Sequence, residues 1–149
     1  MVLGGSCHCG ALTVAIESAR EPRDLPVRVC GCALCRALRP RYTSDPEGRV
    51  TLRAKDEALV SRYRFGLRLA DFLVCRRCGV FVAAYEPGDP GRAVVNLETL
   101  ERAGDFVGEP SRFTAYDSED ATTRSARRAR NWTPATFVIG PAEGREPVD

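Results

Sequence analysis

Seven cysteines fall in three tight groups: Cys7-His8-Cys9, then Cys30-Gly31-Cys32-Ala33-Leu34-Cys35, then Cys75-Arg76-Arg77-Cys78-Gly79. Thiols at such spacings can converge on one cation, and sulfur donors suit zinc. On a strand, Cys7 and Cys9 share a face and leave His8 pointing away. Cys75-x-x-Cys78-Gly79 is a zinc-knuckle pattern, in which a turn presents two thiolates and glycine accepts the backbone angle that follows. Two pairs complete a tetrahedron, so Cys7, Cys9, Cys75 and Cys78 are assigned to a closed, structural zinc site. Cys30, Cys32 and Cys35 remain as a three-thiolate claw that leaves a coordination position open to water or substrate. Two zinc ions per chain are expected.

Other uses of the thiols compete with this reading. The odd count and the lack of an export signal argue against a disulfide framework. Iron–sulfur ligation stays open, because it draws on the same thiolates. A thioredoxin-like redox pair fits poorly, since Cys75 and Cys78 lie between two strand-like segments instead of opening a helix. Met1 to Cys7 carries no basic segment and no long apolar run, so a reducing cytoplasmic location is expected.

Further polar residues are candidates around the claw. Arg28, Arg36 and Arg39 flank it and either meet substrate or sit solvated on the surface. Tyr42 is either a proton donor or a buried strand tyrosine. Asp71, among Leu69, Phe72 and Leu73, is expected to bond backbone amides in preference to the open zinc. His8 is the single histidine and is expected in solvent. Arg124, Arg127 and Arg128 share a helical face, where they either clamp an anionic ligand or offset the helix dipole.

The elements that must position these groups read as strands. Leu12-Thr13-Val14-Ala15-Ile16 alternates with period two, and Val27-Arg28-Val29 leads into the claw. Asp45-Pro46-Glu47-Gly48 is a turn joining Arg41–Thr43 to Val50–Leu52 as a hairpin. Strands are also expected at Leu59–Phe65, Leu67–Val74, Val80–Tyr85, Ala93–Leu97 and Thr136–Ile139, with a helical turn closing near Gly104. Ser118 is the expected cap of a single C-terminal helix that ends before Pro134. The 149 residues suffice for one domain over 1–140, with a polar tail over 141–149. A net charge of +2 gives no electrostatic case for nucleic acid, and no apolar run spans a bilayer. The class is mainly antiparallel β.

The series Ser6-Cys7-His8-Cys9-Gly10, Cys30-x-Cys32-x-x-Cys35-Arg36 and Cys75-x-x-Cys78-Gly79 resembles the glutathione-dependent formaldehyde-activating enzyme family, which includes centromere-protein-V-like proteins. The resemblance runs from about Gly5 to Leu97. It implies a β-tent of stacked antiparallel sheets with a structural zinc on the outer cysteine groups. It also implies a second, reactive zinc on Cys30, Cys32 and Cys35, where glutathione and formaldehyde meet. The expected activity is that of a carbon–sulfur lyase acting on thiol–aldehyde adducts. Three thiolates donate charge to the metal, so such a centre suits an incoming thiol better than activation of water. The alternative is a non-catalytic zinc module that binds protein or nucleic acid, with arginines as its contacts.

Overall fold

The computed structural model describes residues 1–113 and 118–141. Among them, eleven strands form one connected sheet. A first layer holds β1 (Val2–Ser6), β2 (Leu12–Glu17) and β5 (Arg49–Ala54), antiparallel to one another. Leu12, Val14 and Ile16 of β2 are buried in alternation, as period two requires. The last strand, β11 (Thr133–Ile139), joins this layer in parallel with β5 and also pairs antiparallel with β9 (Gly91–Asn96).

The sheet forks at β9. Gly91 to Ala93 pair with β11, while Val95 and Asn96 pair with β4 (Tyr42–Thr43). Beyond β4 lie β3 (Arg28–Cys30) and β10 (Ser111–Phe113), the latter parallel to β3. On the opposite edge of β9 come β8 (Phe81–Glu86), β7 (Asp71–Cys75) and β6 (Val60–Tyr63), all antiparallel. Gly91 sits where the backbones crowd: a Cβ there would lie 2.8 Å from the Ala135 carbonyl oxygen and from the Tyr85 ring.

The layer of β7, β8 and β9 is covered on both faces, which explains its nearly unbroken apolar runs. Alternation divides its side chains between two cores. Leu73, Cys75, Ala83, Ala93 and Val95 join the larger core with Leu3, Ile16, Val50 and Leu52. Phe72, Phe81, Ala84 and Val94 join a smaller core with Cys35, Tyr42 and Trp132. Each fully buried Leu or Ile in the larger core contributes about 1.5–3 kcal/mol. The two faces of one layer therefore look toward different cysteine groups.

Several expectations are corrected. Arg41–Thr43 and Val50–Leu52 do not form a hairpin, although the Asp45–Gly48 turn is present, with the Gly48 amide donating to the Asp45 carbonyl at 2.9 Å. The intervening residues instead send β4 to β3 and β9, and β5 to β2 and β11. Leu67–Val74 is extended only from Asp71, because Gly66 and Arg68 take left-handed angles (φ 60° and 58°) in a turn closed from Arg68 to Phe65. The turn near Gly104 is two short 3-10 turns, Leu97–Thr99 and Ala103–Asp105. The C-terminal helix, α2 (Ala121–Asn131), is capped by Asp120, whose carboxylate accepts from the Thr123 amide at 2.7 Å; Ser118 precedes the cap. A second helix, α1 (Ala33–Leu38), was not anticipated. The tail over 142–149 lies outside the described residues. Among those described, no helix is long and apolar enough to cross a membrane.

Two candidate metal centres

Cys7 follows β1 and Cys75 ends β7, and each starts a tight turn, of four residues at Cys7 and five at Cys75. The Gly10 amide donates to the Cys7 carbonyl at 3.1 Å, and the Gly79 amide donates to the Cys75 carbonyl at 2.9 Å. Both glycines have left-handed angles, φ 82° and 79°, which a Cβ would disfavour. Cys7 and Cys9 thus meet across a turn that is one residue shorter than that of Cys75 and Cys78, and not through strand alternation as expected.

The turns bring all four Sγ atoms of Cys7, Cys9, Cys75 and Cys78 within 4.8 Å of one another. Cys7 to Cys9 is 3.7 Å and Cys9 to Cys75 is 3.5 Å. A tetrahedral zinc with Zn–S bonds of roughly 2.3 Å requires sulfur edges of about 3.8 Å, so the quartet fits that ion. The cysteines are free, and these separations far exceed the roughly 2.05 Å of a disulfide.

Backbone amides already favour sulfur anions here. Leu12 donates to Cys7 Sγ at 3.2 Å, and Arg77 and Cys78 both donate to Cys75 Sγ at 3.4 Å. Amides of Cys9 and Val80 draw the Cys78 thiol down to about 6, and the Ala11 amide lowers that of Cys9. Burial pushes Cys7 up to about 11. His8 between the ligands is exposed, as expected.

The second group is built differently. Cys30 ends β3, Cys32 caps α1, and Cys35 lies inside that helix. Their Sγ atoms also lie within 4.8 Å of one another, with no fourth Cys, His, Asp or Glu in the group among the described residues. The Cys32 amide donates to Cys30 Sγ at 3.5 Å, and the Cys35 amide donates to Cys32 Sγ at 3.4 Å. Cys35 Sγ is 3.1 Å from the buried Tyr42 hydroxyl. The hydrogen bond from Cys35, aided by the Cys32 amide and the charge of Arg127, lowers the Cys30 thiol to about 6. The same bond and burial raise Cys35, and burial raises Tyr42. Tyr42 and Cys35 thus share one hydrogen bond inside the claw.

This claw opens into a cleft of about 120 Å³ that is open to solvent. Phe65, Leu69, Phe72 and Val94 line it on the sheet side, and α2 contributes Arg124, Arg127, Arg128 and then Trp132. Glu119 holds Arg127 through bonds of 3.0 Å and Arg124 at 3.4 Å. Arg128 lies 4.4 Å over the Trp132 ring and 3.2 Å from Glu86. These arginines turn inward, with Arg124 and Arg127 side chains only 16% and 15% exposed.

The model of the glutathione-dependent formaldehyde-activating enzyme family matches residues 2–116. This chain belongs to that family. A crystal structure of a Rhodobacter sphaeroides protein is similar, with 28% identity and a TM-score of 0.52 over 72% of this chain and 97% of that one. The family match takes in all seven cysteines but stops short of α2, so the arginine wall of the cleft lies beyond it.

The structure brings the outer two cysteine groups together and gathers the central trio separately, as the spacing indicated. Other candidates fall elsewhere. Arg36 and Arg39 are exposed, and Arg28 turns to the Ser44 hydroxyl, which donates to the Asn131 carbonyl at the end of α2. Asp71 neither bonds backbone amides nor reaches the claw; its buried carboxylate pairs with Arg64 at 2.5 Å. Sequence reasoning missed Phe65 and Trp132. Trp132 carried a usable signal, as the sole tryptophan immediately after the arginine helix.

Proposed function

We propose that the protein is a zinc-dependent carbon–sulfur lyase-type enzyme, working in the reducing cytoplasm on adducts of a small glutathione-like thiol and a small aldehyde. The observation that carries this reading is an incomplete sulfur claw facing a solvent-open cleft, beside a complete quartet within the core. Cys7, Cys9, Cys75 and Cys78 would hold a structural zinc, and Cys30, Cys32 and Cys35 a second one. Bound there, that zinc supplies Lewis acidity tempered by sulfur donation, with room for one outside donor.

The chain's own groups have distinct tasks. In the forward direction the thiol sulfur adds to the carbonyl carbon. A C–S bond forms, the C=O π pair moves to oxygen, and the thiol proton ends on that oxygen as a hydroxyl. Cleavage reverses each change, so no oxidant or reductant is needed. Tyr42 holds a proton at its hydroxyl beside Cys35 and orients that sulfur. Arg124 and Arg127, fixed by Glu119, suit the carboxylates of a glutathione-like thiol. Trp132 and Phe72 give the reacting carbon apolar neighbours.

The alternative of a nucleic-acid-binding zinc module is disfavoured, because Arg124, Arg127 and Arg128 face a cleft and ion-pair there instead of forming a surface stripe. The deciding experiment is cobalt substitution of the claw followed by millimolar glutathione. The expected result is a changed visible spectrum, two metal ions per chain by elemental analysis, and loss of thiol–aldehyde exchange in C32A. An unchanged spectrum, or one metal per chain, overturns the reading.

A further inference from the structure

Beside the claw, the cleft has two unlike walls, and a formaldehyde adduct uses only one of them. The α2 wall is cationic and answers the carboxylates of a tripeptide thiol. The other wall is mainly apolar, with the exposed Arg68 lining it beside Phe65 and Leu69. Phe65 lies 5.1 Å from Phe72 in the lining, and Phe81, buried and not itself lining the cleft, lies 5.7 Å from Phe72 and 6.0 Å from Tyr42, whose hydroxyl touches Cys35. Leu69, Ala70, Ala84 and Val94 fill in beside this ladder. Tyr63 stacks on Phe65 at 5.8 Å and carries the ladder to the surface, where both rings are partly exposed.

A formaldehyde adduct carries only two hydrogens and a hydroxyl on the carbon next to sulfur, and no carbon substituent in it covers such a wall. A glutathione-like tripeptide is polar along its length and does not cover it either. Apolar surface of this kind stays wet unless the ligand brings carbon to it.

Resting on the thiol–aldehyde reading above, we propose that the cleft selects adducts whose aldehyde carbon bears an apolar alkyl or aryl substituent. That substituent lies along the Phe72–Phe65 ladder while the thiol portion engages the arginines of α2. The preferred aldehydes are therefore larger and more apolar than formaldehyde. The chemistry is unchanged: sulfur adds to the carbonyl carbon, and the thiol proton passes to the oxygen.

Stable thioethers of glutathione mimic the adducts without reacting, and Trp132, the sole tryptophan, reports from the cleft itself. The zinc-loaded protein is titrated with S-methyl-, S-hexyl- and S-benzylglutathione while Trp132 fluorescence is followed. Each buried methylene strengthens binding by roughly fourfold at most. The S-hexyl and S-benzyl compounds are expected to bind at least about tenfold more tightly than S-methyl. Phe65 is 36% exposed, so F65S should keep the fold and reduce that preference to about threefold or less. Equal affinities across the series, or a preference unchanged in F65S, overturn the proposal. The cobalt experiment fails independently: a silent spectrum with a steep thioether series removes the thiol chemistry, whereas a responsive spectrum with a flat series removes only the apolar substituent.

Discussion

The Tyr42 hydroxyl lies 3.1 Å from Cys35 Sγ, so one hydrogen bond ties strand β4 to helix α1 at the claw. A metal-binding thiolate at Cys35 can only accept, so Tyr42 is then the donor. Y42F removes that donor and keeps the ring in the aromatic core. The expected stability loss is about 1 kcal/mol, the usual net value of one hydrogen bond. Activity or metal affinity should fall about 10- to 100-fold, as for other groups that orient a ligand. The check is a shifted cobalt spectrum alongside an unchanged circular dichroism spectrum.

The two sulfur groups should respond differently to loss of one ligand. Structural zinc in small modules is worth about 10 kcal/mol or more of folding free energy, and the quartet joins β1 to β7 across the larger core. C78S is expected to unfold at a much lower temperature or to accumulate as insoluble protein. C32S should retain its melting temperature within a few degrees and lose one equivalent of metal. Thermal unfolding and elemental analysis of both variants decide the point.

At Gly91 a methyl group would press on the Ala135 carbonyl oxygen and the Tyr85 ring, both at 2.8 Å. G91A is expected to cost about 1–3 kcal/mol by overpacking the fork. G104A is the control, since nothing lies within 4 Å of a Cβ there. Chemical denaturation of the pair should show a clear loss for G91A and little change for G104A.

Glu119 supplies a pH dependence. Hydrogen bonding from Arg127, with Arg124 adding to it, holds its carboxyl below the ordinary value of 4.5. A depressed folded-state pKa means stabilisation that is full above 4.5 and is lost as pH falls through the folded value. E119Q should therefore melt a few degrees below the parent at pH 7, with the gap closing below about pH 4. Loss of metal in acid is common to both proteins and cancels in the difference. A gap that persists at low pH contradicts the assignment.

Ligand grouping was legible from spacing, because turns such as Cys75–Gly79 are local and carry their own glycine. Strand positions were legible where one face is buried, as at Leu12, Val14 and Ile16. Pairing was not. Asp45–Gly48 makes its turn, but the partners of β4 and β5 are chosen by long-range burial that local residues do not encode. The helix α1 hid inside the claw, because Ala33-Leu34-Cys35 reads equally as a ligand loop; Cys32 caps it through sulfur, an uncommon capping atom. The direction of the α2 arginines was open for a related reason. The packing of Trp132 against Arg128 and the Glu119 contacts, both set by the fold, hold that face toward the cysteines.

The position of β11 bears on how this chain could be shortened. A fragment ending at residue 116, where the family match stops, would lack the ribbon that zips β5 to β9. It would expose two unpaired edges to neighbouring molecules, an invitation to aggregate. Swapping in the segment 118–132 from a relative, with Thr133–Ile139 left in place, would instead exchange the cationic rim and preserve the scaffold that carries both sulfur groups.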